Sequence, residues 1–105
     1  MSKVITSPVK RYPGTVTIAD PLTYPQYFAF TEAMNAVKKE DDAPTQENTA
    51  LPGVIKCVEE WNIPIKLPVT VDNFPSTPRQ SVNKLLGWII AEITALVYEA
   101  DDPNA

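Results

Sequence analysis

Apolar residues recur along this chain at two periods, and the period changes mark its elements. From Val82 onward, Val82, Leu85, Leu86, Ile89, Ile93, Leu96 and Val97 follow the three-and-four spacing of a helix stripe over at least four turns. Thr77 and Gln80 have capping-box spacing, and Pro78 sits where a first helical residue lacks no needed donor. The pattern therefore predicts a long C-terminal helix, closed by Asp101-Asp102-Pro103, with residues 101–105 as a tail.

An earlier helix is expected from Thr23 to about Lys39. Thr23 and Gln26 again have the capping-box spacing, Pro25 lies in the first turn, and Tyr27, Phe30, Met34 and Val37 form the stripe. Lys38 and Lys39 would complement its C-terminal dipole. EDDAPTQENTA, residues 40–50, is the most polar segment and reads as a mobile loop. A middle helix is expected from Leu51-Pro52 to Trp61, with Val54, Cys57, Val58 and Trp61 inward.

Period two appears at the N-terminus. In KVITSPVKRYPGTVTIA, Val16 and Ile18 alternate with Thr15 and Thr17 after the turn signal Tyr12-Pro13-Gly14. This predicts a short strand or hairpin, paired with Val9–Arg11 or with a later strand. Residues 62–75, NIPIKLPVTVDNFP, cannot be helical across Pro64 and Pro68, and Val69 and Val71 suggest a short edge strand. The expected fold is α+β: three helices, an N-terminal strand or hairpin, and a short edge strand before the last helix. All 105 residues belong to one domain.

The last helix is apolar on a second side. Opposite the core stripe lie Trp88, Ala91, Ala95 and Tyr98, with polar residues confined to narrow flanks. Two readings stand. Either the N-terminal strands lie across this face, or it binds a partner or a second copy. Small residues in its middle admit another helix, and Trp and Tyr at its ends favour interfaces. Burying about 200 Å² of an indole at about 25 cal/mol per Å² is worth several kcal/mol. Phe74, on the bend Asn73-Phe74-Pro75-Ser76-Thr77-Pro78, either packs down as a hydrophobic staple or is displayed as an anchor.

Composition narrows the chemistry. Nine basic against thirteen acidic residues give a net charge of −4, and the basic ones are scattered, with Lys3, Lys10 and Arg11 the tightest group. That argues against a nucleic-acid module, which needs cations against phosphates. No histidine is present, which removes the commonest general base and zinc ligand. Cys57 lies in an apolar stripe with no imidazole to activate it, so a buried thiol is expected. Glu40-Asp41-Asp42, Glu59-Glu60 and Asp101-Asp102 lack the alternating oxygens and glycine bend of a calcium loop. No phosphate-cradling motif surrounds Gly53. We expect no catalytic, cofactor-binding or metal-binding residues. The start, MSKVITSPVK, shows no secretory signal, and Leu85–Tyr98 is shorter than the ~20 residues a membrane helix needs. A soluble, cytoplasmic protein without membrane contact is expected.

The segments "PGTVTIADPLTYPQ", "CVEEWNI", "FPSTPR" and "SVNKLLGWIIAEITALVYE" together resemble small proteins of tailed-phage and prophage structural gene clusters, most closely the tail assembly chaperones. The resemblance implies a non-enzymatic morphogenesis factor in the host cytoplasm. It would self-associate and coat the tape measure protein, or another tail protein, through helix-helix contact until the tube polymerises. The N-terminal strands and the eleven prolines depart from that mostly helical group. The alternative is a structural tail or connector subunit carried in the virion.

Overall fold

The computed structural model describes residues 2–74 and 76–101. In chain order the elements are β1 (Ser2–Thr6), β2 (Thr15–Ala19), α1 (Tyr24–Ala36), α2 (Ala43–Cys57), β3 (Val58–Asn62) and α3 (Arg79–Asp101). The expected α+β class is what the chain adopts.

The strands form one antiparallel sheet in the order β1-β2-β3. Val16 and Ile18 are fully buried, as their alternation predicts, and Ile5 lies opposite Val16 on β1. β2's partners are β1 and β3. Val9–Arg11 belongs instead to the connection between β1 and β2, where Val9 is buried and its carbonyl accepts from the Tyr12 amide. That connection closes with Ser7 donating to the Gly14 carbonyl at 2.9 Å. Gly14 has φ of 140°, and a Cβ there would lie 2.0 Å from the Asn62 carbonyl oxygen. Only glycine lets this turn pass against the end of β3.

β3 is a correction: residues 58–61 are strand, where a helix was expected. Thr17 pairs with Glu60 but Ile18 pairs with Val58, so Glu59 is an extra residue on the β3 side. Such a bulge breaks strict alternation. Val58 and Trp61, three residues apart, both pack against the main core cluster. A bulged strand thus mimics the three-residue spacing of a helix stripe.

Helix α1 begins as expected, with Thr23 and Gln26 forming a complete capping box, and ends at Ala36, three residues short of Lys39. Lys38 and Lys39 lie beyond it, and their carbonyls accept from Gln46 Nε2. Residues 43–50 are not a mobile loop but the first two turns of α2. Asp42 caps them, accepting from the Thr45 amide at 2.8 Å, and Pro44 sits in the first turn. Hydrogen bonds from Thr45, its hydroxyl first and then its amide, hold the Asp42 carboxyl below the usual carboxylate range. Pro52, expected near the helix start, lies inside α2 and faces solvent.

Val69 and Val71 form no strand. The Val69 backbone is satisfied by a side chain: its amide donates to Asn48 Oδ1 at 2.8 Å, and its carbonyl accepts from Asn48 Nδ2 at 3.0 Å. The edge strand before the last helix is therefore β3, not residues 69–71.

Helix α3 supplies more buried apolar residues than any other element among the described residues. Leu85, Ile89 and Ile93 are fully buried, joining Ile5, Val16 and Ile18 of the sheet and Phe30, Val54 and Cys57 of the helices in one cluster. Val82 and Leu86 form a second cluster with Leu51, against which Leu67, Val69 and Phe74 pack. Lys3 of β1 pairs with Glu92 of α3 at 3.2 Å, both partly exposed, so the pair adds little stability but locates β1 along one flank of α3. Asp102 and Pro103, expected to end the helix, lie outside the described residues.

Candidate functional site

The second face of α3 is built by arithmetic that the structure makes visible. The helix advances about 100° per residue, so Gly87, Ala91, Ala95 and Tyr98 fall within one narrow strip opposite Ile89 and Ile93. All four are exposed, and Tyr98 is 72% exposed. Trp88 sits at the strip's edge: its indole is half-buried and packs against the main core cluster. The sheet thus reaches the Trp88 and Glu92 flank and leaves the strip beyond it open. Of the expected binding residues, Ala91, Ala95 and Tyr98 share this open strip, and Trp88 borders it.

Phe74 does not join them. It is half-buried against the cluster of Leu51, Val82 and Leu86, and meets the Tyr12 ring edge to face at 6.2 Å. The Tyr12 hydroxyl is hydrogen-bonded with that of Thr77, and Arg11 Nη2 donates to the Ser76 carbonyl at 2.9 Å. These three links fix the bend before α3 to the connection between β1 and β2, and Phe74 packs down as a staple within them.

Gly87 is the residue that pattern reading missed. A Cβ added there would meet nothing within 4 Å. Glycine within a helix costs about 1 kcal/mol relative to alanine, and among the described residues no packing contact requires one at this position. Its signal was available: Gly87, Ala91 and Ala95 repeat at intervals of four residues.

The chemistry of the remaining groups is sparse. Among the described residues no group of three or more His, Cys, Asp or Glu side chains is placed to hold a metal ion. Lys10 and Arg11 line a shallow groove with Lys84, whereas Lys3 turns away to Glu92. By length and composition Arg79–Glu99 is apolar enough to cross a membrane, but its Leu85, Ile89 and Ile93 are fully buried within the chain.

Cys57 is fully buried, as expected, and burial pushes its thiol up from about 9 to about 11. The native thiol should react with an aromatic disulfide reagent at pH 8 only as fast as the chain opens, and freely in urea. The unfolded chain loses this proton from about pH 9 and the native chain only near 11, so the unfolded state binds fewer protons between them. Stability should therefore fall as pH rises through that window, and Cys57→Ser should remove this part of the decline. Urea titrations of both chains from pH 8 to 11 check it. Rapid native labelling at pH 8 would show that the thiol is not enclosed.

Comparison of the chain with protein-family models, with curated proteins and with solved structures finds no match to any of them.

Proposed function

We propose that this chain is a non-enzymatic binding factor of phage morphogenesis, a tail assembly chaperone that holds an apolar helical segment of the tape measure protein against the outer strip of α3. The observation that carries the reading is Gly87. It weakens the central helix of the fold at a position where no neighbour among the described residues needs the space. With Ala91 and Ala95 it makes a smooth track on which a second helix axis can approach closely, flanked by Trp88 and Tyr98 as aromatic anchors. The sequence resemblance to tail assembly chaperones supplies the kind of partner.

Two substitutions test the strip. Gly87→Ala should raise the unfolding free energy by about 1 kcal/mol and yet weaken retention of a co-expressed tape measure protein on an affinity column. Ala95→Glu should abolish retention with an unchanged urea midpoint, because Ala95 is exposed. Retention equal to that of the native chain in both variants would remove this face from the mechanism. Mass spectrometry of mature particles addresses the role: a chaperone is absent from them, whereas a structural tail or connector subunit is present.

A further inference from the structure

A second surface, independent of the α3 strip, holds a polar group without a partner. The first turns of α2, the segment 69–74 and the start of α3 enclose an open groove of about 340 Å³. Its walls are largely apolar, with Pro44, Val69, Val71, Phe74 and Val82 among them, and Glu47 and Arg79 are its two charged residues. Glu47 Oε2 accepts from Arg79 Nη1 at 2.9 Å, and the Glu47 side chain is only 10% exposed. The other oxygen, Oε1, is closed off from solvent and has no hydrogen-bond partner among the described residues.

An unpartnered buried carboxylate oxygen forfeits the hydrogen bonds it would make in water. The last torsion of a glutamate is soft and nearly two-fold. Turning the carboxylate about this torsion, with the partly exposed Arg79 following, would give one oxygen to Arg79 and the other to an incoming donor, leaving neither unpaired. The occupant that this arrangement favours follows from charge. Arg79 already neutralises Glu47, so a cation would give up its hydration for a site without net negative charge. A phenol brings an acceptor as well as a donor, and its oxygen would have to reach Thr70, Thr77 or Arg79 to be satisfied as well. An indole carries one N–H donor, no acceptor and a large apolar body.

The groove is open along its rim, where Val71 is 82% exposed, so it can hold a free ring only weakly, at millimolar concentration. Small-ligand sites bury most of their ligand, whereas a ring held by its own polypeptide needs only a seat. We propose that the groove beside Glu47 receives a tryptophan side chain presented by a partner polypeptide, its indole N–H donating to the Glu47 carboxylate.

The test titrates the ¹⁵N-labelled chain with N-acetyl-tryptophanamide and with its indole-N-methyl analogue, which keeps the ring and loses the donor. Expected are saturable amide shifts confined to residues 44–47 and 69–82, with the methylated probe binding about tenfold more weakly. In Glu47→Ala the two probes should bind equally. In Val71→Arg, at an exposed rim position, both should lose binding while the urea midpoint stays unchanged. Equal binding of the two probes to the native chain would overturn the proposal. So would the absence of saturable shifts, as expected if the carboxylate takes only water, or shifts centred on Ala91 and Ala95. Should Glu47→Ala fail to fold, the probe comparison in the native chain and Val71→Arg still decide.

Discussion

Replacing Ile89 by alanine is expected to lower the unfolding free energy by about 3 kcal/mol, within the range of about 2–5 kcal/mol for buried isoleucine truncations. Ile89 is fully exposure-free at the middle of α3, in the cluster that joins the sheet to α1 and α2. No single element can collapse into the space without pulling away from the others, so the cavity term should persist. Domains of this size are stable by only about 5–15 kcal/mol, and the variant should unfold at clearly lower urea with an unchanged slope. Ile55→Ala is the matched control: the same atoms are removed from a side chain that is 53% exposed on α2, and the midpoint should barely move. Equal losses in the two variants would mean that α3 does not pack as described.

The burial of Ile89 was legible because a stripe seven positions long leaves little freedom of phase. Val82, Leu85, Leu86, Ile89, Ile93 and Leu96 are all buried and Val97 is half-buried. Val16 and Ile18 were legible for the same reason, as strict alternation between threonines. The failures at β3 and at Val69 share another cause: each involves a partner far along the chain. The bulge at Glu59 is defined by its register against β2, so Val58 and Trp61 read locally as helix. Val69 is bonded by the Asn48 side chain, 21 residues away, so its alternation read as a strand seeking a strand. The start of α2, expected at Leu51-Pro52, was misplaced for a local reason: Asp42 before Pro44 was the better signal, because a cap and a first-turn proline coincide there.

The candidate face was legible in part. Its small residues and Tyr98 followed from helix geometry alone. How far the sheet reaches over Trp88 did not, because it depends on where β1 crosses, and the Lys3–Glu92 pair marks that crossing. The groove beside Glu47 could not have been read at all. Its walls come from α2, the segment 69–74 and α3, and the segment called loop in the pattern is the helix that carries its carboxylate.

Gly53 gives the second large effect, and its sign is the opposite of that expected at Gly87. Both glycines lie within helices, so alanine should favour helix by about 1 kcal/mol at either position. At Gly87 nothing opposes the gain. At Gly53 a Cβ would lie 2.7 Å from the Ala33 Cβ, 2.8 Å from the Ala29 carbonyl oxygen and 2.9 Å from the Phe30 Cα. Two of these three atoms are backbone of α1, so no side-chain rotation relieves them, and the two helices must separate. Separation draws Phe30 on α1 and Val54 on α2, both buried, away from the core they share. Overpacking of this kind costs about 1–3 kcal/mol and occasionally more; three contacts under 3.0 Å, two of them to backbone, put Gly53→Ala at the upper end, which after the helix gain leaves it about 2 kcal/mol less stable than the native chain. Gly53→Val, with two further methyl groups against the same backbone, should lose more, and urea unfolding of the three chains orders them. A Gly53→Ala chain as stable as Gly87→Ala would mean that α1 and α2 do not meet at this residue, and with it the seat of α2 beneath α3 would have to be redrawn.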